Sequence, residues 1–344
     1  MTTPAAAFAN QVDYCRANGA PLTAAIVKAI WARVAPGSAL GRALHEWPGD
    51  PLADVLPLRV AAGVRALHLS GAASELAPLY RGELTRDALS DAIASVLVDH
   101  EAAILPWLNG PPQTNEAGRS AGLMAGLLWL SANGFGERFE LIEIGSSAGI
   151  NLMMDRFGFD LGGVRVGDPE SPVQIAPRWE GAPPPDAPVG IVSLVGCDRD
   201  PIDLASAAGR VRLAAYVWPE MKARLTLLEQ ACALADARAP RVAEADAADF
   251  VEAQLSQPQA SGVTRVLMHS LVWQYLPDAT QDRIHSAMDA AGAKADSERP
   301  LAWLSLEGDR TLLQHRLHVR AWPGGDRVEL ARAHAHGAWV EWRI

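Results

Sequence analysis

The spacing of apolar residues along the chain changes near Phe139. Before that point, apolar residues recur at intervals of three and four, as on one face of a helix, in Thr23–Val34, Leu58–Leu69 and Asp87–Leu105. Thr85 is a suitable N-cap for the third of these segments. No segment of this half has the pattern of a strand, so we predict that it is entirely helical.

A further helix is predicted from Thr114 to Asn133, where an Asn-Gly pair ends it. Beyond it, short and nearly continuous apolar runs alternate with helical stretches. Such runs are typical of strands buried on both faces of a parallel sheet, and their alternation with helices indicates βαβ units. The runs are Phe139–Ile144, Val189–Val195, Val263–Met268 and Leu301–Leu306.

The last part of the chain has the pattern of antiparallel strands. Leu317–Trp322 leads into the turn Pro323–Asp326, and Val328–Ala331 and Ala338–Trp342 follow. The predicted fold class is therefore α/β, a mostly parallel sheet with a C-terminal antiparallel hairpin.

The chain has 344 residues, which favours two domains. We place a helical N-terminal domain at 1–113 and a sheet domain at 114–344, with an insertion at about 158–188. Within that insertion, the four prolines of Gly181–Pro188 exclude both a helix and a central strand.

Charge and composition restrict the classes of partner. The net charge is -10, and no cluster of Lys or Arg is present, which argues against a nucleic acid or an anionic membrane. Cys15, Cys197 and Cys232 have no metal-ligand spacing and are typical of buried thiols in a reducing cytoplasm. The N-terminus lacks the pattern of a signal peptide, and the longest apolar stretch, Ala121–Leu130, is too short to span a membrane. We expect a soluble cytoplasmic protein and make no prediction of its oligomeric state.

The most informative segment is the glycine turn, Glu143–Asn151, which follows the first predicted strand and leads into a stretch compatible with a helix. Glycine lets the backbone approach a ligand there, and the turn directs helix N–H groups at it. The spacing of acid and glycines resembles motif I of class I methyltransferases, where the turn packs under S-adenosylmethionine. Ser147 stands where the usual pattern has its middle glycine. The alternative is a tight turn that holds no ligand. The candidate cofactor residues of this turn are Glu143, Gly145, Ser146, Ser147, Gly149 and Asn151.

Acidic residues follow the next two predicted strands. Asp198 ends the second strand, where a carboxylate could accept hydrogen bonds from both ribose hydroxyls of the cofactor. Asp200 could instead cap the next helix, and Asp168 is an alternative by spacing, although its Asp-Pro-Glu context indicates a turn. Asp246 and Ala247 are candidates for holding the adenine, and Asp246 is equally suited to cap a helix.

The fourth strand ends at Met268–Pro277, beyond which ligands of open α/β sheets lie. His269 is the candidate catalytic base, with a hydrogen-bonded wall of the site as the alternative. Trp273 is placed near the same pocket.

The chain resembles an uncharacterised bacterial domain-of-unknown-function family, number 2332. The resemblance implies a Rossmann-like class I methyltransferase fold over 114–344 and brings no established substrate or activity. With the likeness of the glycine turn to motif I, we expect S-adenosylmethionine as cofactor and a methyl acceptor that the sequence does not identify. Arg119, Trp218 and Trp273 are the candidates for the acceptor side. Arg119 would share one face of a helix start with Asn115 and Glu116, and Trp218 could equally be a core residue. The segments that carry the resemblance are Thr114–Arg119, Glu143–Asp155, Gly196–Leu204, Val217–Glu220 with Arg224, and His269–Pro277.

Other functions fit parts of the sequence. Gly145–Gly149 also satisfies the nucleophile elbow of α/β-hydrolases, with Ser147 as nucleophile and His269 as base. A methyltransferase fold that binds a ligand without turnover is a further alternative. A dinucleotide oxidoreductase is disfavoured because the turn lacks Gly-x-Gly-x-x-Gly. The histidines near the C-terminus lack the acidic or cysteine ligands of a compact metal motif, so we expect no metal. They are His315, His318, His334 and His336.

Overall fold

A computed structural model describes residues 2–309 and 314–344, with side chains through residue 308 in the first range. The chain divides into two compact units. The first comprises 1–114 and 206–226, and the second comprises 115–205 and 227–344. The sequence pattern did not predict that 206–226 belongs to the first unit.

Helices occur in both units. Short 3-10 helices occupy Ser74–Leu76, Leu105–Leu108, Ala117–Arg119, Asn151–Arg156 and Trp273–Tyr275. The α-helices are α1 (Pro4–Ala17), α2 (Pro21–Arg33), α3 (Ala39–His45), α4 (Leu56–Leu69), α5 (Ala77–Tyr80), α6 (Arg86–Asp99), α7 (Glu101–Ile104), α8 (Ser120–Ala132), α9 (Ala207–Tyr216), α10 (Lys222–Ala237), α11 (Ala247–Leu255) and α12 (Asp278–Gly292).

The described strands all belong to the second unit. They are β1 (Arg138–Ile144), β2 (Gly158–Leu161), β3 (Val164–Gly167), β4 (Gln174–Ile175), β5 (Arg178–Glu180), β6 (Gly190–Asp198), β7 (Val242–Glu244), β8 (Thr264–Ser270), β9 (Leu301–Asp309), β10 (Gln314–Trp322), β11 (Arg327–Ala333) and β12 (Trp339–Trp342).

All regular secondary structure among the described residues of the first unit is helical, as the apolar spacing predicts. Its core packs α1, α2, α4 and α6 around fully buried aliphatic side chains such as Ile30 and Val64. Thr85 caps α6 by accepting the N–H of Ala88, also as predicted. The predicted helix Asp87–Leu105 is interrupted, however, because His100 leaves the helical conformation at φ -122° and ψ 19° and separates α6 from α7.

The second unit contains a nine-stranded sheet within its described residues, in the order β5-β12-β11-β10-β9-β8-β1-β6-β7. From β1 the chain goes first to β6 and β7 on one side, and then to β8 and β9 on the other, and these five strands are parallel. The strand order therefore reverses at β1, so the carboxyl end of β1 is the place where an open sheet of this kind forms a crevice.

Strands β9 to β12 pair antiparallel, and β5 joins β12 in parallel at the edge. Helix α8 packs on one face of the sheet over β9, β10 and β11, while α11 packs against β1 and β6 and also contacts α12. The side chains of β9 alternate accordingly: Leu304 lies against α8, and Trp303 belongs to the apolar cluster that includes residues of α11 and α12.

One local prediction was wrong, and the strands of the insertion were not predicted. The helix predicted from Thr114 begins only at Ser120, after a 3-10 turn, because Glu116 is extended at φ -121° and ψ 115°. The insertion contains β2 to β5, whose strands are only two to four residues long and therefore too short for a period to be detected. None of the described helices combines the length and apolar character needed to cross a membrane.

Candidate functional site

The glycine turn lies at the carboxyl end of β1, between β6 and β8. Gly145 and Gly149 have φ values of 65° and 76°, and Ser147 has a φ of 52°. Ser147 thus adopts the left-handed conformation that glycine adopts without cost, at the position where the motif usually has glycine. The N–H of Ser146 donates to the carbonyl of Cys197 at 2.9 Å and ties the turn to β6.

Glu143 is the buried acid of this turn, with 2% of its surface exposed. Asn151 donates from Nδ2 to its Oε1 at 2.8 Å, while Oε2 has no hydrogen-bond partner among the described residues. Burial raises the pKa of Glu143 to about 7, and hydrogen bonds from Asn151 and Ser146 and the charge of Arg119 limit the rise. The carboxyl group is thus poised to ionise near neutral pH.

Three buried polar atoms at this turn have no hydrogen-bond partner among the described residues: Glu143 Oε2, Ser147 Oγ and Asn151 Oδ1. Leaving a buried polar group unpaired costs about 1–3 kcal/mol. Their occurrence within nine residues of one turn marks a place where a polar ligand or water would be stabilised.

The segment before α8, which also belongs to the second unit, contacts this turn. Asn115 accepts the N–H of Ile150 on Oδ1 at 2.8 Å, and the guanidinium of Arg119 donates to the carbonyl of Ala335 at 2.8 Å. Glu116 lies 3.5 Å from the ring of His336. These three residues therefore do not share one face of a helix, as the sequence suggested, because this part of the segment is extended or 3-10.

Asp198 is the last residue of β6 and lies beside the glycine turn. Its Oδ2 accepts the N–H of Ser147 at 2.8 Å, and its Oδ1 accepts the N–H of Asp200 at 3.0 Å. Each carboxylate oxygen keeps one further acceptor position, so the side chain can still hold two hydroxyl groups. Asp200 does not cap the next helix, since Ser206 caps α9, and Asp168 lies in an exposed turn.

Asp246 is the N-cap of α11, where its side chain accepts the N–H groups of Ala248 and Asp249. Ala247 is the first residue of that helix and is buried. The capping hypothesis for Asp246 is confirmed. A role for this pair with adenine stays a prediction.

His269 is held on both of its ring nitrogens. Trp303 donates from Nε1 to His269 Nε2 at 2.9 Å, and His269 Nδ1 lies 2.6 Å from Glu307 Oε1. Because an indole N–H can only donate, Nε2 is the acceptor and the proton resides on Nδ1, which donates to Glu307. This geometry favours the wall of the site over the catalytic base, because neither nitrogen is left to take a proton.

Glu307 is a residue that the sequence analysis did not single out. Its Oε1 also accepts the N–H of Val272 at 3.1 Å, and the side chain of Val272 lies against Gly145. Glu307 is on β9 at the same edge of the sheet as His269 of β8. The rule that ligands lie beyond the carboxyl ends of parallel strands, applied to the fifth strand, would have identified it.

A pocket of about 390 Å³ lies beside His269 and Glu307, on the face of the sheet opposite α8. Volumes of roughly 300–1,000 Å³ are typical of small-molecule sites. Trp273, the predicted acceptor-side residue, lines it and stacks on His269 with ring centroids 5.0 Å apart. The other residues that define the pocket are His285, Trp303, Ser305, His318, Arg320 and Arg327.

Two of the three non-glycine residues with positive φ in the described chain flank this region. Ser147 is one, and Leu271, at φ 57° directly after β8, is the other. Side chains in this conformation cost about 1–3 kcal/mol and cluster at functional sites. The strain therefore coincides with the candidate site.

The residues of the remaining predicted sites do not lie together. Trp218 belongs to the first unit, where it packs edge-to-face on Tyr14 at 6.0 Å. The hydroxyl of Ser147 contacts no histidine by hydrogen bond in the described chain, so the Ser–His pair of a hydrolase is not assembled. No group of three metal-ligating side chains is present among the described residues.

The fold and site thus define an α/β protein with unpaired buried polar atoms at the strand-order reversal and an aromatic pocket beside His269. The model of a family described as an uncharacterized protein conserved in bacteria, domain of unknown function 2332, matches residues 5–342. The chain belongs to this family, which confirms the resemblance seen in the sequence. No curated protein and no solved structure matches the chain.

Proposed function

We propose that the second unit has a class I methyltransferase fold, binds S-adenosylmethionine at the glycine turn and transfers its methyl group to an acceptor. The observation that carries the proposal is the set of unpaired buried polar atoms, Glu143 Oε2, Ser147 Oγ and Asn151 Oδ1, at the point where the strand order reverses. A cationic ligand there would compensate the burial of the Glu143 carboxylate.

The residues fit this cofactor. Glu143 offers an unpaired oxygen to the amino group of its methionine end, and both oxygens of Asp198 keep a position for a ribose hydroxyl. Asp246 and Ala247 would border the adenine. Ser147 departs from the motif by carrying a hydroxyl, and that hydroxyl needs a partner.

When bound, the cofactor supplies an electrophilic methyl group on sulfur. The chain's own contribution is positioning, which can lower a barrier by about 7–11 kcal/mol when the reacting atoms are held in line. Asn115 and Asn151 hold the glycine turn and its acid in place through hydrogen bonds of 2.8 Å. The pocket beside His269, of about 390 Å³, has room for a second molecule.

Titration calorimetry with S-adenosylmethionine and S-adenosylhomocysteine tests the proposal. We expect micromolar binding of both by the wild-type chain. Asp198→Asn should weaken it about tenfold or more, because hydrogen bonds to a charged group contribute about 1.5–3 kcal/mol. Asp200→Asn and Asp168→Asn remove the same charge at exposed positions and should leave binding unchanged.

Melting curves of all three variants report whether the turn has been disturbed, since Asp198 also holds Ser147 and Asp200. Loss of binding in Asp200→Asn or Asp168→Asn alone would transfer the ribose role to that residue. If the wild-type chain binds neither ligand, the proposed function is wrong.

A further inference from the structure

We infer that the pocket beside Glu307 is the acceptor site and that it takes a planar aromatic carboxylate whose opposite end carries a hydroxyl group. The acceptor role rests on the proposed function, whereas the ligand class rests on the pocket alone. We call this pocket, defined by Trp273, His285, Trp303, Ser305, Glu307, His318, Arg320 and Arg327, the aromatic pocket.

Flat rings form much of the lining. Trp273 and Trp303 lie 5.4 Å apart between centroids, and His285 lies 4.9 Å from Trp303 and 5.3 Å from Trp273. Burial lowers the pKa of His285 below its ordinary value, so this ring is neutral at pH 7. Neutral ring faces attract another flat ring through stacking and apolar burial.

The pocket has a basic end. Arg320 pairs in register with Trp303 on one side and with Arg327 on the other. Asp289 lies 2.6 Å from Arg320, but no described carboxylate forms an ion pair with Arg327. Glu329, the nearest acid along β11, is shared by Arg316, Arg332 and His318. Burial and the charge of Arg316 lower the pKa of Arg327, and the charge of Glu329 offsets this only in part. The excess of positive charge around Arg327 therefore favours an anion.

Glu307 lies at the other end of the pocket, and its register partner on β10 is Arg316, which is ion-paired with Glu329. Glu307 lies four residues from Trp303 on β9, about 13 Å along an extended strand. Its Oε1 is occupied by His269 and Val272, and no described residue bonds its Oε2. A carboxylate so placed accepts a hydrogen bond from a hydroxyl group and repels a second anionic group.

These two ends select the ligand class. A cationic aromatic ligand would meet Arg320 and Arg327. An aromatic phosphate would bring two negative charges close to Asp289 and Glu329, which already interact with Arg320 and Arg327. A ring with a carboxylate at one end and a hydroxyl at the other matches both ends and suits a pocket of about 390 Å³.

The position of the ligand hydroxyl beside Glu307 also defines the methyl-transfer step. The hydroxyl oxygen of the ligand forms a bond to the methyl carbon as the carbon–sulfur bond breaks, and the electron pair of that bond stays on sulfur. The proton of the hydroxyl group passes to Glu307 Oε2. Val272, whose N–H holds Glu307 and whose side chain lies against Gly145, joins the two parts of the site.

Calorimetry with 4-hydroxyphenylacetate, in the absence of any cofactor, tests the ligand class. Its uncharged and cationic counterparts, 4-hydroxyphenylacetamide and tyramine, keep the ring and the hydroxyl group. We expect the acid to bind in the millimolar range or more tightly, the amide at least tenfold more weakly, and tyramine not at all.

Arg327→Gln should remove the advantage of the acid over the amide and leave binding of the amide unchanged. Arg165→Gln changes the same charge on an exposed strand far along the chain and is the matched control. Trp273→Ala should weaken the acid and the amide by similar factors, because both stack on the same ring.

Equal binding of acid and amide by the wild-type chain, or no binding of the acid at millimolar concentration, would overturn the inference. Because no cofactor is present, this result is independent of the calorimetry with S-adenosylmethionine. Binding of the acid by a chain that does not bind that cofactor would retain the ligand class and remove the acceptor role.

Discussion

Glu143→Gln is expected to make the protein more stable at pH 8 and to weaken binding of the proposed cofactor. The folded-state pKa of Glu143 is about 7, against an ordinary value of 4.5 for a glutamate carboxyl group. A group whose pKa is raised by folding binds its proton more tightly in the folded state. The contribution of Glu143 to the free energy of unfolding is therefore favourable below pH 4.5 and is lost as the pH rises through 7.

The size of this effect follows from the difference between the two pKa values, which corresponds to about 3 kcal/mol at 1.36 kcal/mol per unit. Glutamine keeps an oxygen that can accept from Asn151 and carries no charge at any pH. We expect wild type and variant to melt together at pH 4, and the variant to melt several degrees higher at pH 8.

Binding of the cofactor should favour the wild type over the variant, which is the opposite of the effect on stability. A cationic amine favours the ionised carboxylate, so wild-type affinity should fall as the pH drops below 7, and the variant should bind about ten- to a hundredfold more weakly at pH 8. Glu137→Gln, which removes an exposed carboxylate just before β1, is the control and should change neither quantity. Equal melting of Glu143→Gln and wild type at pH 8 would contradict the raised pKa.

The sheet of the second unit was predictable because burial on both faces leaves a strong signal. The runs Phe139–Ile144 and Leu301–Leu306 lie within observed strands. The run Val263–Met268 begins one residue before β8, which is buried at every residue. A strand with two polar faces gives no such run. The short, half-exposed strands β3 and β5 of the insertion were missed for this reason.

The candidate site was only partly predictable, because local sequence identifies turns and caps but not pairs of distant side chains. The glycine turn could be recognised from nine consecutive residues. The contact of His269 with Glu307 joins residues 38 positions apart and depends on the register of β8 and β9. Its consequence, that both ring nitrogens are occupied, could not be derived from the pattern around His269.

Gly145→Ala is expected to destabilise the second unit by about 2–5 kcal/mol, the sum of about 1–2 for a left-handed side chain and about 1–3 for overpacking. A Cβ at this position would lie 2.3 Å from Cγ2 and 2.7 Å from Cβ of Val272. Gly262→Ala measures the cost of the left-handed side chain alone, because Gly262 has a similar φ of 71° and no atom within 4 Å of the added carbon.

Chemical denaturation of Gly145→Ala, Val272→Gly and the double variant measures the cost of overpacking against Val272. The double variant should be more stable than the sum of the two single changes by about 1–3 kcal/mol, since removing the valine relieves the contact. If Gly145→Ala costs no more than Gly262→Ala, the packing of the glycine turn against Val272 is not as described.

The same contact connects the two halves of the proposed site. The N–H of Val272 holds Glu307, so displacing Val272 to admit a methyl group at position 145 displaces the acid that would face the acceptor hydroxyl. Gly145→Ala should therefore weaken binding of 4-hydroxyphenylacetate although it lies outside the aromatic pocket. Restoration of that binding in the double variant would show that steric contact, and not loss of the fold, transmits the change.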